Sequence, residues 1–168
     1  MYLKNLAIHG FKSFANRTSL EFPSSLIGIV GPNGSGKSNI CDSIRWVLGE
    51  QSSEALRGQK MDDVIFGGTS TVPQAKFAEV RLTFDNKSRF FKIDSDDFVL
   101  TRKINRNGDA DYIINGEQCR LKDIKEQIMD TGLGRDAYSI IGQGMVDSII
   151  GPRGAERRAI IEIGRAHV

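Results

Sequence analysis

LIGIVGPNGSGKSN, residues 26–39, decides how the rest of the chain is read. Leu26, Ile27, Gly28, Ile29 and Val30 make a short apolar run with the length and β-branched content of a strand buried on both faces. The run stops at a loop holding Gly31, Gly34 and Gly36, and the apolar period then changes. Ile40, Ile44, Val47 and Leu48 fall at i, i+4, i+7 and i+8, which predicts a helix beginning near Lys37 with those four on one face. Strand, glycine loop and helix in that order predict an α/β lobe with a parallel core strand running into the loop.

The residue types in the loop point to a polyphosphate. Glycines let the main chain approach a polyanion and turn successive N–H groups inward, and the helix start adds its partial positive charge. Pro32, Asn33, Gly34, Ser35, Gly36, Lys37, Ser38 and Asn39 are therefore the candidate phosphate cradle. Lys37 would reach the β- and γ-phosphate oxygens, and the Ser38 hydroxyl would take one position around Mg²⁺. The spacing G-x-x-x-x-G-K-S fits a P-loop. A dinucleotide fold fits less well, because G-x-G-x-x-G is not completed after Gly34 and Gly36.

Composition narrows the class. With 168 residues the chain can bury a core of its own, and its net charge of +2 sets up no global field for nucleic acid. Cys41 and Cys119 are far apart without C-x-x-C spacing, so reduced thiols are expected rather than a disulfide or metal site. His9 and His167 share no ligand spacing. The start MYLKN has no signal-peptide core, and no apolar run reaches the ~18 residues of a membrane span. A soluble intracellular protein with no membrane partner is the expectation.

Outward from the loop, residues 2–10 and 18–22 read as two antiparallel strands, joined through the compact turn GFKSF at 10–14. Gly49 closes the helix after the loop as a C-cap residue would, and a helical turn is expected over 62–66. Residues 77–85 alternate Ala78, Val80, Leu82 and Phe84 with polar neighbours, the mark of a half-buried antiparallel strand. Further strands are expected over 90–93, 98–104 and 112–114, with turns at Asn107-Gly108 and Asn115-Gly116. An amphipathic helix follows over 121–129, then a short strand over 139–141 and helical character over 155–161.

Five blocks together resemble the N-terminal part of the head of a prokaryotic SMC (structural maintenance of chromosomes) protein. They are GFKSF at 10–14, GPNGSGKSN at 31–39, IRWVLGE at 44–50, LRGQKMDDVIFGG at 56–68 and GLGRDAYSIIGQG at 132–144. The P-loop alone would say only ATPase or GTPase. The resemblance implies an ABC-type ATPase head built from two distant pieces of one polypeptide, joined by a long coiled coil. Residues 1–162 would be the first piece, with an antiparallel β region beside the nucleotide.

The resemblance also carries residues. Gln143 matches a glutamine that in the family contacts Mg²⁺ and the attacking water, with a polar loop residue as the alternative. Arg57 matches an arginine finger stabilising charge on the γ-phosphate, with a lone surface arginine as the alternative. Lys12 and Ser13 would approach the nucleotide, or Lys12 is simply solvated. Asp62 and Asp63 would lie near it, or act as helix-start carboxylates. Lys60, Arg102, Lys103 and Arg106 would give a basic face for DNA phosphates.

Implied partners are the C-terminal head segment of the same polypeptide, a second head in a homodimer, DNA and a kleisin-type accessory subunit, in the cytoplasm at the nucleoid. The cofactors implied are ATP and Mg²⁺. The Walker B aspartate with its catalytic glutamate and the signature loop have no match here: residues 80–85 are followed by Asn86, and Gly67-Gly68 follows Ile65-Phe66. A RecF-, RecN- or Rad50-like repair ATPase is the alternative within ATPases, and a non-catalytic nucleotide- or DNA-binding half-domain the alternative outside them. Residues 163–168, IGRAHV, depart from the family pattern. Back-translated as ATC GGA AGA GCA CAC GTC they resemble a sequencing adapter, so a non-native tail is expected there.

Overall fold

Alternating apolar residues build the centre of the molecule. The computed structural model describes residues 1–24 and 26–129. Its strands are β1 (Leu3–His9), β2 (Thr18–Glu21), β3 (Phe77–Asp85), β4 (Asp97–Asn105), β5 (Ala110–Ile114) and β6 (Glu117–Cys119). They form one sheet in the order β2-β1-β3-β4-β5-β6, and every neighbouring pair is antiparallel. The register aligns Leu20, Leu6, Leu82, Leu100 and Ile114 in one row across five strands. In the adjacent row Ile8 faces Val80, Val80 faces Arg102, and Arg102 faces Tyr112. Because side chains alternate faces along a strand, these rows share the buried face.

Helix α1 (Lys37–Val47) packs against β3 and β4, and helix α2 (Leu121–Met129) lies beside β5. Ile40 and Val47 of α1 are buried as expected, Ile44 and Leu48 pack at the core margin, and Trp46 is fully buried. In α2, Ile124 and Ile128 face the core. Gly49 follows α1 with its N–H on the Trp46 carbonyl, 3.3 Å away. The turn expected over 62–66 is a short 3-10 helix, Met61–Val64. Asn115 and Gly116, with φ of 47° and 90°, make the tight turn from β5 into β6, a strand the sequence reading did not include. Among the described residues no helix is long and apolar enough to cross a membrane.

Two expected strands are absent. Residues 26–30 do not form the parallel core strand: Leu26 is 89% exposed and Val30 93%. β-branched content favours a strand only where another backbone completes the ladder, and among the described residues nothing pairs with this stretch. Residues 90–93 are also not a strand. Asn86, fully buried, donates its amide to the carbonyls of Phe91, Ile93 and Ser95 at 3.2, 3.1 and 2.9 Å, and its Oδ1 accepts from Phe91 N at 2.9 Å. Carbonyls gathered on one side chain are lost to a ladder. Phe91 then stacks on Phe98, ring centroids 3.8 Å apart. The strand expected over 139–141, the helical stretch 155–161, Gln143, block 132–144 and the tail 163–168 lie outside the described residues.

Candidate functional site

The glycine loop hands α1 an open start. Gly36 is the N-cap residue, at φ 92°, no side chain caps the helix, and its first turn carries no acid. A left-handed φ suits glycine, and a Cβ there would sit 3.0 Å from Ser13 Oγ. Asn39 N and Ile40 N both donate to the Gly36 carbonyl, at 2.9 and 3.2 Å. The first amides of any helix have no partner within it and carry the positive end of its dipole. Pro32, Asn33, Gly34 and Ser35 are exposed on the loop, and Ser38 is exposed one residue into α1. Lys37 Nζ folds over the loop and donates to the carbonyls of Gly31 and Pro32, both at 2.7 Å. A start with no acid in its first turn and an ammonium above it suits an anion.

A second group of side chains converges beside this loop. Gly10, at φ +64°, turns the chain out of β1, and its carbonyl accepts from Phe66 N at 2.8 Å. Lys12 N donates to the Val64 carbonyl at 2.7 Å. Phe11 is fully buried against Trp46, centroids 5.3 Å apart. The turn 10–14 is thus fastened both to α1 and to the 3-10 segment, which places Lys12 and Ser13, while Arg57 comes from the separate turn 53–58. Lys12 and Arg57 have left-handed backbones, φ 48° and 58°.

At the centre lies Asp42 of α1, 5% exposed. Its Oδ2 accepts from Lys12 Nζ, from Arg57 Nη2 and, at 3.1 Å, from Arg57 Nε. Lys12 Nζ also donates to the Leu56 carbonyl. Arg57 Nη2 donates further to Asn39 Oδ1 at 2.9 Å, and Asn39 Nδ2 donates to Ser13 Oγ at 2.8 Å. Ser13, Asn39, Arg57, Asp42 and Lys12 therefore form one connected chain. Lys12, Ser13, Asn39 and Arg57 of that chain line an open cleft of about 480 Å³, completed by Asp63, Ile65 and Gly67, while Asp42 lies outside its lining. Lys12 and Arg57 share the Asp42 carboxylate, and Asp63 brings a second carboxylate to the cleft.

Asp63 serves the helix start. Its Oδ2 accepts from the backbone N–H groups of Gln59 and Lys60, both at 2.7 Å. Those bonds, Lys60 first, hold its carboxyl below the ordinary 3.8.

The expected basic face does not form as a set. Arg102 is buried on the inner face of β4, between the rings of Trp46 and Tyr112 at 4.6 and 5.0 Å. Its Nη1 donates to the carbonyls of Trp46 and Glu50, both at 2.7 Å, closing the C-terminal end of α1. Burial pulls its pKa down, partly offset by Tyr112 and Glu50. Arg106 donates to the carbonyls of Ala75 at 2.7 Å and Phe66 at 3.0 Å, and Lys103 lies over the Phe77 ring at 4.5 Å. Lys60 is exposed. Arginine and lysine counts alone do not reveal such internal duties.

Sequence reasoning missed Asp42. The signal was present: an acid three residues after Asn39 and four before Trp46, on a helical face distinct from that of Ile40 and Ile44.

The model of the RecF/RecN/SMC N-terminal domain matches residues 2–144. A chromosome partition protein Smc of Lactiplantibacillus plantarum is 53% identical over 162 residues, 96% of this chain and 14% of that protein, so the chain spans about one seventh of its relative. A solved chain from work on ATP-driven dimerization and DNA-stimulated activation of SMC ATPases superposes with TM-score 0.92 at 35% identity, covering 97% of this chain and 99% of that one. A crystallised Smc head bound to the C-terminal winged-helix domain of ScpA gives TM-score 0.90 at 37% identity, over 96% and 50% of the two chains. A RecF structure with ATP is more distant, at TM-score 0.60 and 22% identity over 96% of this chain and 38% of that one, and shares the fold. The chain belongs to the RecF/RecN/SMC N-terminal domain family.

Proposed function

We propose that this chain is the ATP-binding part of an SMC head, and that the whole protein binds DNA and hydrolyses ATP between two heads in chromosome condensation and segregation. The observation that carries the reading is the glycine loop opening into an uncapped α1 under Lys37, with Ser13 against Gly36 and the cleft of Lys12, Ser13, Asn39 and Arg57 beside it. These residues fit a nucleotide polyphosphate: backbone amides and an ammonium for the anion, and a hydroxyl on Ser38 for a hard cation. When bound, Mg²⁺ neutralises phosphate charge. Lys37 holds the β- and γ-phosphate oxygens, Arg57 meets charge on the γ-phosphate, and Lys12, Ser13, Asn39 and Asp63 border the nucleotide. Gln143 is assigned to the cation and the attacking water by its family match.

The partners follow from the same reading. The C-terminal head segment of the same polypeptide supplies the Walker B and signature elements, and a second head closes the site as a homodimer. A kleisin-type subunit and DNA complete the assembly, at the nucleoid in the cytoplasm. The ATP-driven dimerization of one solved relative and the ScpA complex of another support this, as does the apolar stretch 26–30, which pairs with nothing among the described residues. The alternative of a RecF-type repair ATPase has weaker support, because that likeness reaches the fold alone.

The test is ATP hydrolysis by this chain alone and mixed with the C-terminal head segment of its parent gene. Turnover in the mixture only, abolished by Lys37→Ile, is the expected result. Nucleotide binding with no turnover in the mixture would leave a non-catalytic half-domain, and turnover by the chain alone would overturn the need for a second piece.

A further inference from the structure

We infer that Asp42 is the positioning residue for Arg57. It docks the arginine on α1 so that its guanidinium is presented to the cleft in one orientation. This rests on the nucleotide reading above.

Four observations carry it. The Asp42 carboxylate is buried, yet it touches no ligand surface of its own: its bonds go to Lys12 and Arg57. The two cations differ in how firmly they are held. Lys12 is 14% exposed and is also fixed by the Leu56 carbonyl, whereas Arg57 is 53% exposed on the cleft. Arg57 has a left-handed backbone, and non-glycine residues stay there only where their surroundings hold them. Finally, both Nε and Nη2 of Arg57 reach the same Asp42 oxygen while Nη2 also reaches Asn39, which fixes the plane of the guanidinium.

From this follows an asymmetric exchange. When an anionic ligand draws Arg57 off, Lys12 stays to neutralise Asp42, so the buried carboxylate is never left without a cation. Asp42 therefore sets where Arg57 waits, and Lys12 lets it leave.

A double-mutant cycle tests this in the mixture of this chain with its C-terminal head segment. Asp42→Asn keeps the side-chain shape and removes the charge. The expected result is a kcat lower by about tenfold with KM changed less than about twofold. Adding Asp42→Asn to Arg57→Ala should then cost nothing further. An undiminished kcat in Asp42→Asn, or a further tenfold loss in the double variant, would overturn the assignment, since a purely structural carboxylate is needed whether or not Arg57 is present.

Amide exchange in the chain alone gives a readout independent of turnover. Asp42→Asn should speed exchange at Arg57 and Gly58, whose N–H groups donate to Glu54 and Ser53 at 2.8 Å each, by about tenfold, and leave the amides of β3 unchanged. Unchanged exchange at both residues would reject the docking role. If the wild-type mixture shows no turnover, the ATPase reading fails by itself, and the exchange result still decides for or against Asp42.

Discussion

At the scale of single residues, charge placement decides behaviour. Lys37→Ile removes the ammonium above the loop, and binding of a fluorescent ATP analogue should weaken about 10- to 100-fold, the worth of one or two charge-assisted bonds. Asp63 supplies a pH prediction. Its folded pKa is depressed by the N–H groups of Lys60 and Gln59, so its contribution is full above 3.8 and is lost as pH falls through the lower folded value. The amide resonances of Lys60 and Gln59 should therefore titrate with a midpoint below 3.8, and Asp63→Asn should abolish that titration. Glycines, a lysine and a serine at fixed spacing made the loop readable from sequence, because each has a job set by backbone geometry. Asp42 was not readable in that way. Its helical spacing sets it on a face apart from Ile40 and Ile44, but its partners lie 30 residues before it and 15 after it, so local spacing does not show which cations share the carboxylate.

At the scale of elements, the clear cases were those with one strong period. The bounds of β3 and α2 match the expected 77–85 and 121–129, since alternation and helical spacing act within the segment itself. Residues 90–93 show the opposite: their apolar pattern was overruled by one buried side chain, Asn86. Asn86→Ala should therefore cost about 2–4 kcal/mol in urea unfolding, as the Phe91 N–H and the Ser95 carbonyl lose the Asn86 amide and the Phe91 and Ile93 carbonyls keep only their backbone donors, Ile93 N and Ser95 N. Arg102→Ala should cost about 2–3 kcal/mol by freeing the carbonyls of Trp46 and Glu50 and removing a packed stem from between two rings. Tryptophan fluorescence reads that variant directly, since Trp46 is the single tryptophan of the chain. Gly10→Ala should be worse tolerated than an ordinary loop change, because a Cβ at φ +64° would sit 2.1 Å from the Phe77 carbonyl. Its urea midpoint should drop below that of either variant.

At the scale of the molecule, residues 26–30 carry apolar surface that a folded chain ordinarily covers, with Leu26 and Val30 almost wholly exposed. The isolated chain should accordingly bind a hydrophobic dye, and adding the C-terminal head segment should reduce that signal; unchanged dye binding in the mixture would argue against docking there. Sequence pattern shows the apolar, β-branched content of this stretch but not whether another backbone pairs with it, because pairing is a property of two backbones; among the described residues none does. Helix α1 lies between the loop and the sheet. It is tied in its first turn through Asn39 to Ser13 of the turn 10–14 and at its C-terminal end through Arg102 to β4. Eleven residues span about 16 Å, with no flexible joint between the ties. Such a helix behaves mechanically as a strut: a load applied at the loop is delivered to the middle of the six-stranded plane, and the plane must turn as one piece with it.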